Sequence, residues 1–150
     1  MSYRSPYDNY GHAMLTANAL RTPQKAALVY RGRSYTFDAL NRSVNKLANA
    51  LAAAGVKPGQ RVGSLLSEAI SIARLYPAEA KLGAVIAAYN PYWDEEQVVR
   101  TTELSKLDAF VFDRANAATI AKVRARLPGI KLWLSIGGPQ EGAVDLDQLV

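Results

Sequence analysis

The sequence contains few side chains that could carry acid–base or nucleophilic chemistry. His12 is the only histidine, and there is no cysteine. Because His12 falls on a predicted helix without an evident Ser or carboxylate partner, we interpret it as a surface or packing residue rather than a general base. Glu95 and Glu96 are adjacent, and adjacent side chains diverge on a helix, so they cannot share a metal ion. We therefore predict no catalytic residue and no metal ligand.

A glycine-rich stretch at residues 137–142 is the only candidate for a phosphate-binding loop. Such a loop presents consecutive backbone N–H groups at the start of a helix, usually with a lysine. Pro139 has no N–H, Glu141 would repel phosphate, and no lysine follows. We interpret this stretch as a surface turn.

Three aromatic residues, Tyr89, Tyr92 and Trp93, surround a predicted turn at Asn90-Pro91. The turn follows a predicted parallel strand, and α/β sheets bind ligands at the carboxyl ends of such strands. The aromatic residues could instead form a hydrophobic staple that closes onto the next helix. We favour the staple and keep the ligand site as the alternative.

The chain is organised around a predicted strand–helix–turn–strand unit at residues 33–66. Thr36 is a suitable N-cap, and Asp38 in the first turn favours the helix dipole. Apolar residues then recur at steps of three and four, which predicts one buried face: Phe37, Leu40, Val44, Leu47, Ala48 and Leu51. Gly55 ends the helix.

The other elements alternate between strands and helices. A helix is predicted over residues 12–20, a hairpin over 26–36, and strands near residues 62–66, 84–89, 109–112 and 130–135. Further helices are predicted over 67–83, 94–104 and 114–127, with a short final turn capped by Asp145. Pro77 should kink the first of these helices or begin a new turn. The continuous apolar run at 84–89 is typical of a parallel strand covered on both faces.

This order predicts an α/β fold, with a mostly parallel sheet, helices on both faces and an N-terminal β-hairpin. The 150 residues are the length of one domain, and 49% of them are hydrophobic, which is enough for a core. The net charge is +5, but the basic residues are scattered. Their one local cluster, Lys122, Arg124, Arg126 and Lys131, is best explained as a solvated helix end. No nucleic-acid-binding module is recognisable, and no apolar run is long enough for a membrane span.

Five stretches in order resemble the N-terminal region of AMP-forming acyl-CoA synthetases, which belong to the adenylate-forming superfamily. Residues 35–40 match its first core motif and residues 81–85 its second. Residues 55–62, Asn90-Pro91 and residues 94–96 match segments between and after these motifs. The resemblance extends from about residue 15 to residue 150, and it implies that residues 1–150 form a single N-terminal subdomain, an incomplete part of the enzyme fold.

The resemblance implies that the complete enzyme uses ATP, Mg²⁺ and CoA to convert a carboxylate, here a fatty acid, into an acyl-adenylate and then a thioester. The family's phosphate loop, ribose-binding acid and catalytic lysine have no counterparts in this sequence. We therefore expect this segment to bind no cofactor by itself and to be inactive alone. Asn90, Pro91 and Tyr92 correspond to a loop that faces CoA in some members, although Tyr92 replaces a frequently basic residue.

Two hypotheses about function follow. In the first, the chain is a scaffold whose partner is the remainder of a cytoplasmic ligase. In the second, it is a degenerate binding or regulatory module that docks to a partner or self-associates, and whether it is an enzyme stays open. Departures from the family pattern at residues 67–69, Pro77 and Tyr92 motivate the second hypothesis.

Overall fold

Strands and helices alternate along residues 9–149, which are the residues that this computed structural model describes. The strands are β1 (Ala26–Tyr30), β2 (Arg33–Thr36), β3 (Arg61–Leu65), β4 (Val85–Tyr89), β5 (Ala109–Asp113), β6 (Leu132–Ile136) and β7 (Val144–Asp145). The helices are α1 (a π-helical stretch, His12–Thr16, then Ala17–Arg21), α2 (Phe37–Ala53), α3 (Ala69–Leu82), α4 (Glu95–Ser105) and α5 (Ala117–Arg124). Short 3₁₀ turns, Arg114–Asn116 and Leu146–Gln148, precede α5 and follow β7.

Five strands form one parallel sheet in the order β4-β3-β5-β6-β7. The antiparallel hairpin of β1 and β2 forms a separate two-stranded sheet. This architecture confirms the predicted α/β fold. The sequence did not predict β7, because a strand of two residues is too short to show a periodic pattern.

Helices cover both faces of the sheet, and each layer has its own apolar cluster. On one face, Leu47 and Leu51 of α2 and Leu75 of α3 pack with Val62 and Val111 of the strands. The opposite face carries α4 and α5, which contribute the buried residues Val98, Val99, Ile120 and Val123. Successive strand residues point to opposite faces, so Phe110 and Phe112 belong to this second cluster.

The caps of α2 follow the sequence closely. The hydroxyl of Thr36 accepts a hydrogen bond from the N–H of Ala39, which satisfies one of the free donors of the first turn. Asp38 forms an ion pair with Arg42 one turn later, at 2.6 Å. Gly55 has a φ of +106°, a conformation that glycine adopts without strain, and the helix has ended by this point.

Helix α3 continues through Pro77 without interruption, so the predicted new turn at this residue is wrong. A proline removes one intrahelical hydrogen bond, at a cost of about 3 kcal/mol. Here α3 packs with α2 and the sheet in one apolar cluster, and Leu75, Pro77 and Ala78 are all buried. This packing offsets the lost hydrogen bond, and a propensity argument could not foresee that environment.

Strand β4 is parallel, as predicted, but its predicted coverage on both faces is wrong within residues 9–149. It lies at the edge of the sheet, with β3 as its one neighbouring strand among these residues. The side chains of Val85 and Ile86 are 49% and 36% exposed although they point to opposite faces. Between residues 9 and 149, no helix is long and apolar enough to cross a membrane.

Candidate ligand-binding edge of the sheet

The carboxyl ends of β3, β4, β5 and β6 lie together, and we call this region the carboxyl edge. Parallel pairing places Leu65 beside Tyr89 on one side and Phe112 on the other. The chain moves from β3 to β4 in one direction and then crosses back to β5. Strand order therefore reverses at β3, and a reversal of this kind opens a crevice where α/β sheets bind ligands.

The loop after β4 separates the three aromatic residues that the sequence placed together. Tyr89 is buried and packs against Trp93 and Phe110, with ring centroids 5.4 and 5.2 Å apart. Trp93 directly precedes the N-cap Asp94, whose capping box with Gln97 is present as predicted. Tyr92 points into solvent and is 93% exposed. Tyr89 and Trp93 thus agree with the favoured staple, and only Tyr92 is free to contact a ligand.

Asn90 and Pro91 set the shape of this loop. The Asn90 side-chain oxygen accepts a hydrogen bond from the N–H of Tyr92 at 2.9 Å, and its backbone oxygen accepts one from Trp93 at 3.1 Å. Such an Asx turn holds the loop without another element's help. Asn90, Pro91 and Tyr92 supply no cation, so a phosphate group would find polar contacts here but no charge partner.

Asp113, which the sequence reasoning missed, organises the crevice between β3 and β5. Its carboxylate accepts hydrogen bonds from the N–H groups of Ser67 and Glu68, at 2.7 and 3.1 Å. Its other oxygen accepts one from the Asn116 amide at 2.7 Å. Asp113 is 3% exposed, and three donors compensate its burial. The feature of the sequence that could have identified Asp113 is its position as an aspartate at the end of an otherwise apolar strand.

Glu68 connects the carboxyl edge to the hairpin. Its carboxylate accepts a hydrogen bond from the Tyr30 hydroxyl at 2.6 Å and pairs with Arg31 at 3.2 Å. The bond to this carboxylate raises the pKa of Tyr30 above its ordinary value. The hairpin tip therefore lies beside the start of α3.

The glycine-rich turn after β6 is held by its own contacts. The N–H of Gly137 donates to the carboxylate of Asp147 at 2.7 Å, and Asp147 also pairs with Arg74 at 3.3 Å. The carbonyl of Gly142 accepts from Arg124. The first N–H of the stretch is thus already engaged, consistent with the predicted surface turn. Asp145 caps the final turn by accepting from the N–H of Asp147.

Lys81 and His12 lie at the opposite end of α3, away from the carboxyl edge. The ammonium of Lys81 donates to Thr16, Asn41 and Asn45 at 2.9, 2.5 and 2.6 Å. Burial lowers the pKa of Lys81. The pKa of His12 is lowered by burial and then by the charge of Lys81, and its ring contacts Thr16 at 3.1 Å. These hydrogen bonds of Lys81 join α1 to α2 and α3. Lys81 is the first residue of the second core motif, residues 81–85, so this residue of the motif has a structural role.

Two acidic residues at the start of α4 pair with basic residues in and just after α5. Glu95 contacts Lys122 at 2.7 Å and Glu96 contacts Arg126 at 2.5 Å, while Arg124 stacks over Trp133 at 5.2 Å. The predicted solvated helix end is therefore better described as an interhelical ion-pair surface. Within the described part of the chain, no group of three or more His, Asp or Glu side chains could hold a metal ion.

Comparisons with known proteins identify the fold and the family. A family model described as AMP-binding enzyme matches residues 15–147. The medium-chain fatty-acid–CoA ligase of Escherichia coli (strain K12) is 36% identical over 98 residues, which are 65% of this chain and 17% of the ligase. Surfactin synthase subunit 1 of Bacillus subtilis (strain 168) is 28% identical over 93 residues, which are 62% of this chain and 3% of the synthase.

A solved structure of an anthranilate CoA ligase in complex with anthranoyl-AMP superposes with a TM-score of 0.85 and 25% identity. The match covers 99% of this chain and 29% of that one. The chain therefore spans less than a third of each of these three relatives. By its fold and by the extent of the family match, the chain belongs to the AMP-binding enzyme family and corresponds to the N-terminal part of an adenylate-forming enzyme.

Proposed function

We propose that the chain is the N-terminal scaffold of an ATP-dependent, AMP-forming carboxylate–CoA ligase that acts on a fatty acid in the cytoplasm. The observation that carries this proposal is the family match over residues 15–147 together with the superposition on a CoA ligase. The identity to a medium-chain fatty-acid–CoA ligase supports the fatty acid as substrate. In this proposal residues 1–150 form one subdomain.

Adenylation needs groups that cradle the ATP phosphates and a cation near the forming adenylate. The turn at residues 137–142 does not suit this task, because Gly137 already donates to Asp147 and Pro139 has no N–H. We therefore propose that this chain is inactive by itself, and that ATP and Mg²⁺ are bound by other parts of the complete enzyme. CoA would supply the thiol that accepts the acyl group.

Asn90, Pro91 and Tyr92 are proposed to face CoA in the complete enzyme. The support is their position at the carboxyl edge, the Asx turn that fixes the loop, and the almost full exposure of Tyr92. An exposed tyrosine can stack on a nucleotide base, whereas it cannot neutralise a phosphate. In this proposal Tyr92 contributes to CoA affinity through stacking and leaves adenylation unchanged.

A chimera tests the proposed function directly. Residues 15–147 would replace the matching segment of the E. coli medium-chain fatty-acid–CoA ligase, and the 150-residue chain would be assayed beside it. We expect the chimera to form octanoyl-CoA with release of AMP, and the 150-residue chain to show no ATP–pyrophosphate exchange above background. Exchange by the short chain would contradict the proposed inactivity. A well-folded chimera without activity, as judged by circular dichroism, would contradict the scaffold role.

The same chimera tests the loop. Tyr92→Ala should raise the KM for CoA several-fold while ATP–pyrophosphate exchange stays unchanged, and Tyr35→Ala serves as a matched substitution on the hairpin. Equal effects of the two variants, or no effect of Tyr92→Ala on KM, would remove Tyr92 from the CoA site.

The exposed edge of β4 supports a proposal about the partner. Val85 and Ile86 present apolar side chains on both faces of a strand that is unpaired on one side within residues 9–149. We propose that the remainder of the ligase covers this strand. The second candidate, self-association of a stand-alone module, rests on the same surface, because unpaired apolar edge strands also join copies of one chain.

A further inference from the structure

The charge of the chain is unevenly distributed between its first elements and the rest. Residues 9–36, which contain α1 and the hairpin, carry four Lys and Arg side chains and no Asp or Glu. Residues 37–149 carry thirteen Lys and Arg side chains and twelve Asp and Glu side chains, so they are almost neutral. The basic residues are scattered along the sequence, but the acidic ones are missing from this one part. The net positive charge of residues 9–149 therefore lies mainly on α1 and the hairpin.

All four of these cations are exposed: Arg21 at the end of α1, Lys25 just before β1, and Arg31 and Arg33 on either side of the hairpin turn. Arg31 pairs with Glu68 at 3.2 Å. The other three cations form no ion pair with any residue between 9 and 149. Their charges are therefore available to an anionic partner.

The helices beside the hairpin contribute two acidic residues, and both are already paired. The backbone N–H of Asp38 donates to the carbonyl of Pro23 at 3.1 Å, so the start of α2 lies beside the loop between α1 and β1. The carboxylate of Asp38 pairs with Arg42 of its own helix. At the other end of the hairpin, Glu68 is engaged by Arg31. Neither carboxylate neutralises the three cations that lack an ion pair.

Exposed apolar side chains lie among the cations. Leu20, next to Arg21, is 72% exposed, and Val29 of β1 is 67% exposed. Val29 lies opposite Ser34 across the hairpin, and Ser34 is exposed as well, so this face of the hairpin points away from the core. Cations and apolar side chains on one exposed part of a protein are typical of segments that lie at a membrane–water interface.

The aromatic residues of the hairpin do not offer free rings to a nucleic acid. Arg31 lies over the ring of Tyr30 at 5.1 Å, and Arg33 lies over the ring of Tyr35 at 5.7 Å. Single-stranded nucleic acids bind proteins by stacking bases on exposed aromatic rings. The cations and the exposed leucine and valine therefore favour a lipid surface over a nucleic acid.

We propose that α1 and the hairpin bind the surface of a membrane that contains anionic lipids. Arg21, Lys25 and Arg33 would contact the lipid phosphates, and Leu20 and Val29 would enter the boundary between headgroups and acyl chains. The inference does not depend on the proposed ligase function, since it rests on the distribution of charge and on the exposed apolar side chains.

The test is co-sedimentation of the 150-residue chain with phosphatidylcholine vesicles and with vesicles that also contain about 30% phosphatidylglycerol, at an ionic strength of about 0.1 M. We expect binding to the anionic vesicles alone. The combined variant Arg21→Gln, Lys25→Gln, Arg33→Gln should lower the partition coefficient about 100-fold, since each basic residue near the surface contributes about fivefold.

A matched control removes three exposed cations that lie outside α1 and the hairpin and form no ion pair within residues 9–149: Arg100→Gln, Lys106→Gln and Lys131→Gln. Both variants lose the same charge, so the control separates a local site from a general effect of net charge. The control variant should change the partition coefficient by less than about threefold, because salt screens charges that lie far from the bound surface. Leu20→Ser combined with Val29→Ser should weaken vesicle binding several-fold with no change in charge.

Three outcomes would overturn the proposal: no binding to the anionic vesicles, equal losses for the two charge variants, or undiminished vesicle binding of the serine variant. Tighter binding to polyglutamate than to vesicles would also overturn it and would assign the surface to an acidic polypeptide. All substituted residues are exposed, and circular dichroism confirms that each variant is folded. The ligase chimera can fail without affecting this result, which is measured on the short chain.

Discussion

Strands β4 and β5 flank β3 on opposite sides, have the same length and direction, and are both rich in apolar residues. Every residue of β5 is buried, whereas Tyr89 is the one buried residue of β4. The difference comes from their neighbours. β5 has a strand on either side and an apolar layer on each face, while β4 has β3 alone beside it within residues 9–149. An apolar run in the sequence therefore indicates a strand with apolar faces to bury, but it does not show which elements bury them.

The largest expected effect compares an aromatic residue of β5 with an aliphatic one of β4. Phe110 is fully buried and its ring lies 5.2 and 5.4 Å from those of Tyr89 and Trp133. Phe110→Ala should lower the free energy of unfolding by about 3–5 kcal/mol, because it removes contacts and leaves a cavity. Ile86→Ala should lower it by less than about 1 kcal/mol. Urea unfolding measures both, and similar losses would mean that β4 is covered in solution.

A sharper comparison uses one substitution at two sites. Val111 of β5 is fully buried, and Val85 of β4 is 49% exposed. Val111→Ala should cost about 2 kcal/mol, since it removes two buried methyl groups. Val85→Ala should cost no more than about 0.5 kcal/mol. Because the chemical change is identical, the difference between the two losses reports burial alone, and a difference near zero would refute the assignment of β4 to an open edge.

Local signals in the sequence predicted most of the fold. The capping residues Thr36 and Asp94, the apolar periodicity of α2 and the glycine after it are short-range features, and each appears where expected. The continuity of α3 through Pro77 could not be predicted in this way, because it depends on the packing of α3 with α2 and the sheet. The exposure of β4 likewise depends on which strands are its neighbours.

The candidate site was predictable only in part. The turn at Asn90 and the capping box of Asp94 with Gln97 follow from neighbouring residues, so the sequence indicated them correctly. Asp113 bonds to Ser67 and Glu68, which are more than forty positions earlier in the chain. No local pattern connects such residues, and parallel pairing of β3 with β5 is what brings them together.

Glu79 on α3, the helix that joins β3 to β4, offers a pH-dependent test. Its side chain is fully buried, and neither carboxylate oxygen has a hydrogen-bond partner among residues 9–149. Burial raises the pKa of this carboxyl well above its ordinary value. The folded state thus holds a proton that the unfolded state releases near its usual pKa, so the free energy of unfolding falls as pH rises above about 4.5.

The slope of that fall is at most about 1.4 kcal/mol per pH unit for one proton, and it ends where the folded carboxyl ionises. Glu79→Gln removes the titration. We expect the variant to match the wild type near pH 4 and to exceed it increasingly toward pH 8 in urea unfolding. Glu103→Gln, an exposed substitution on α4, should leave the pH dependence unchanged. Parallel curves for wild type and Glu79→Gln would show that Glu79 is hydrated or paired when the chain is in solution.

The smallest expected change in stability belongs to Val85→Lys, which places a charge on the open edge of β4. Because Val85 is half exposed, the free energy of unfolding should change by no more than about 0.5 kcal/mol. A lysine on an edge strand opposes pairing with another chain, so self-association should weaken. Val144→Lys is the matched control, since Val144 is 41% exposed on β7, the other edge of the sheet. Sedimentation velocity of the three proteins separates the two edges. Loss of dimers with Val85→Lys alone assigns association to β4, whereas equal behaviour of the two variants would show that the contrast between β4 and the rest of the sheet does not govern association.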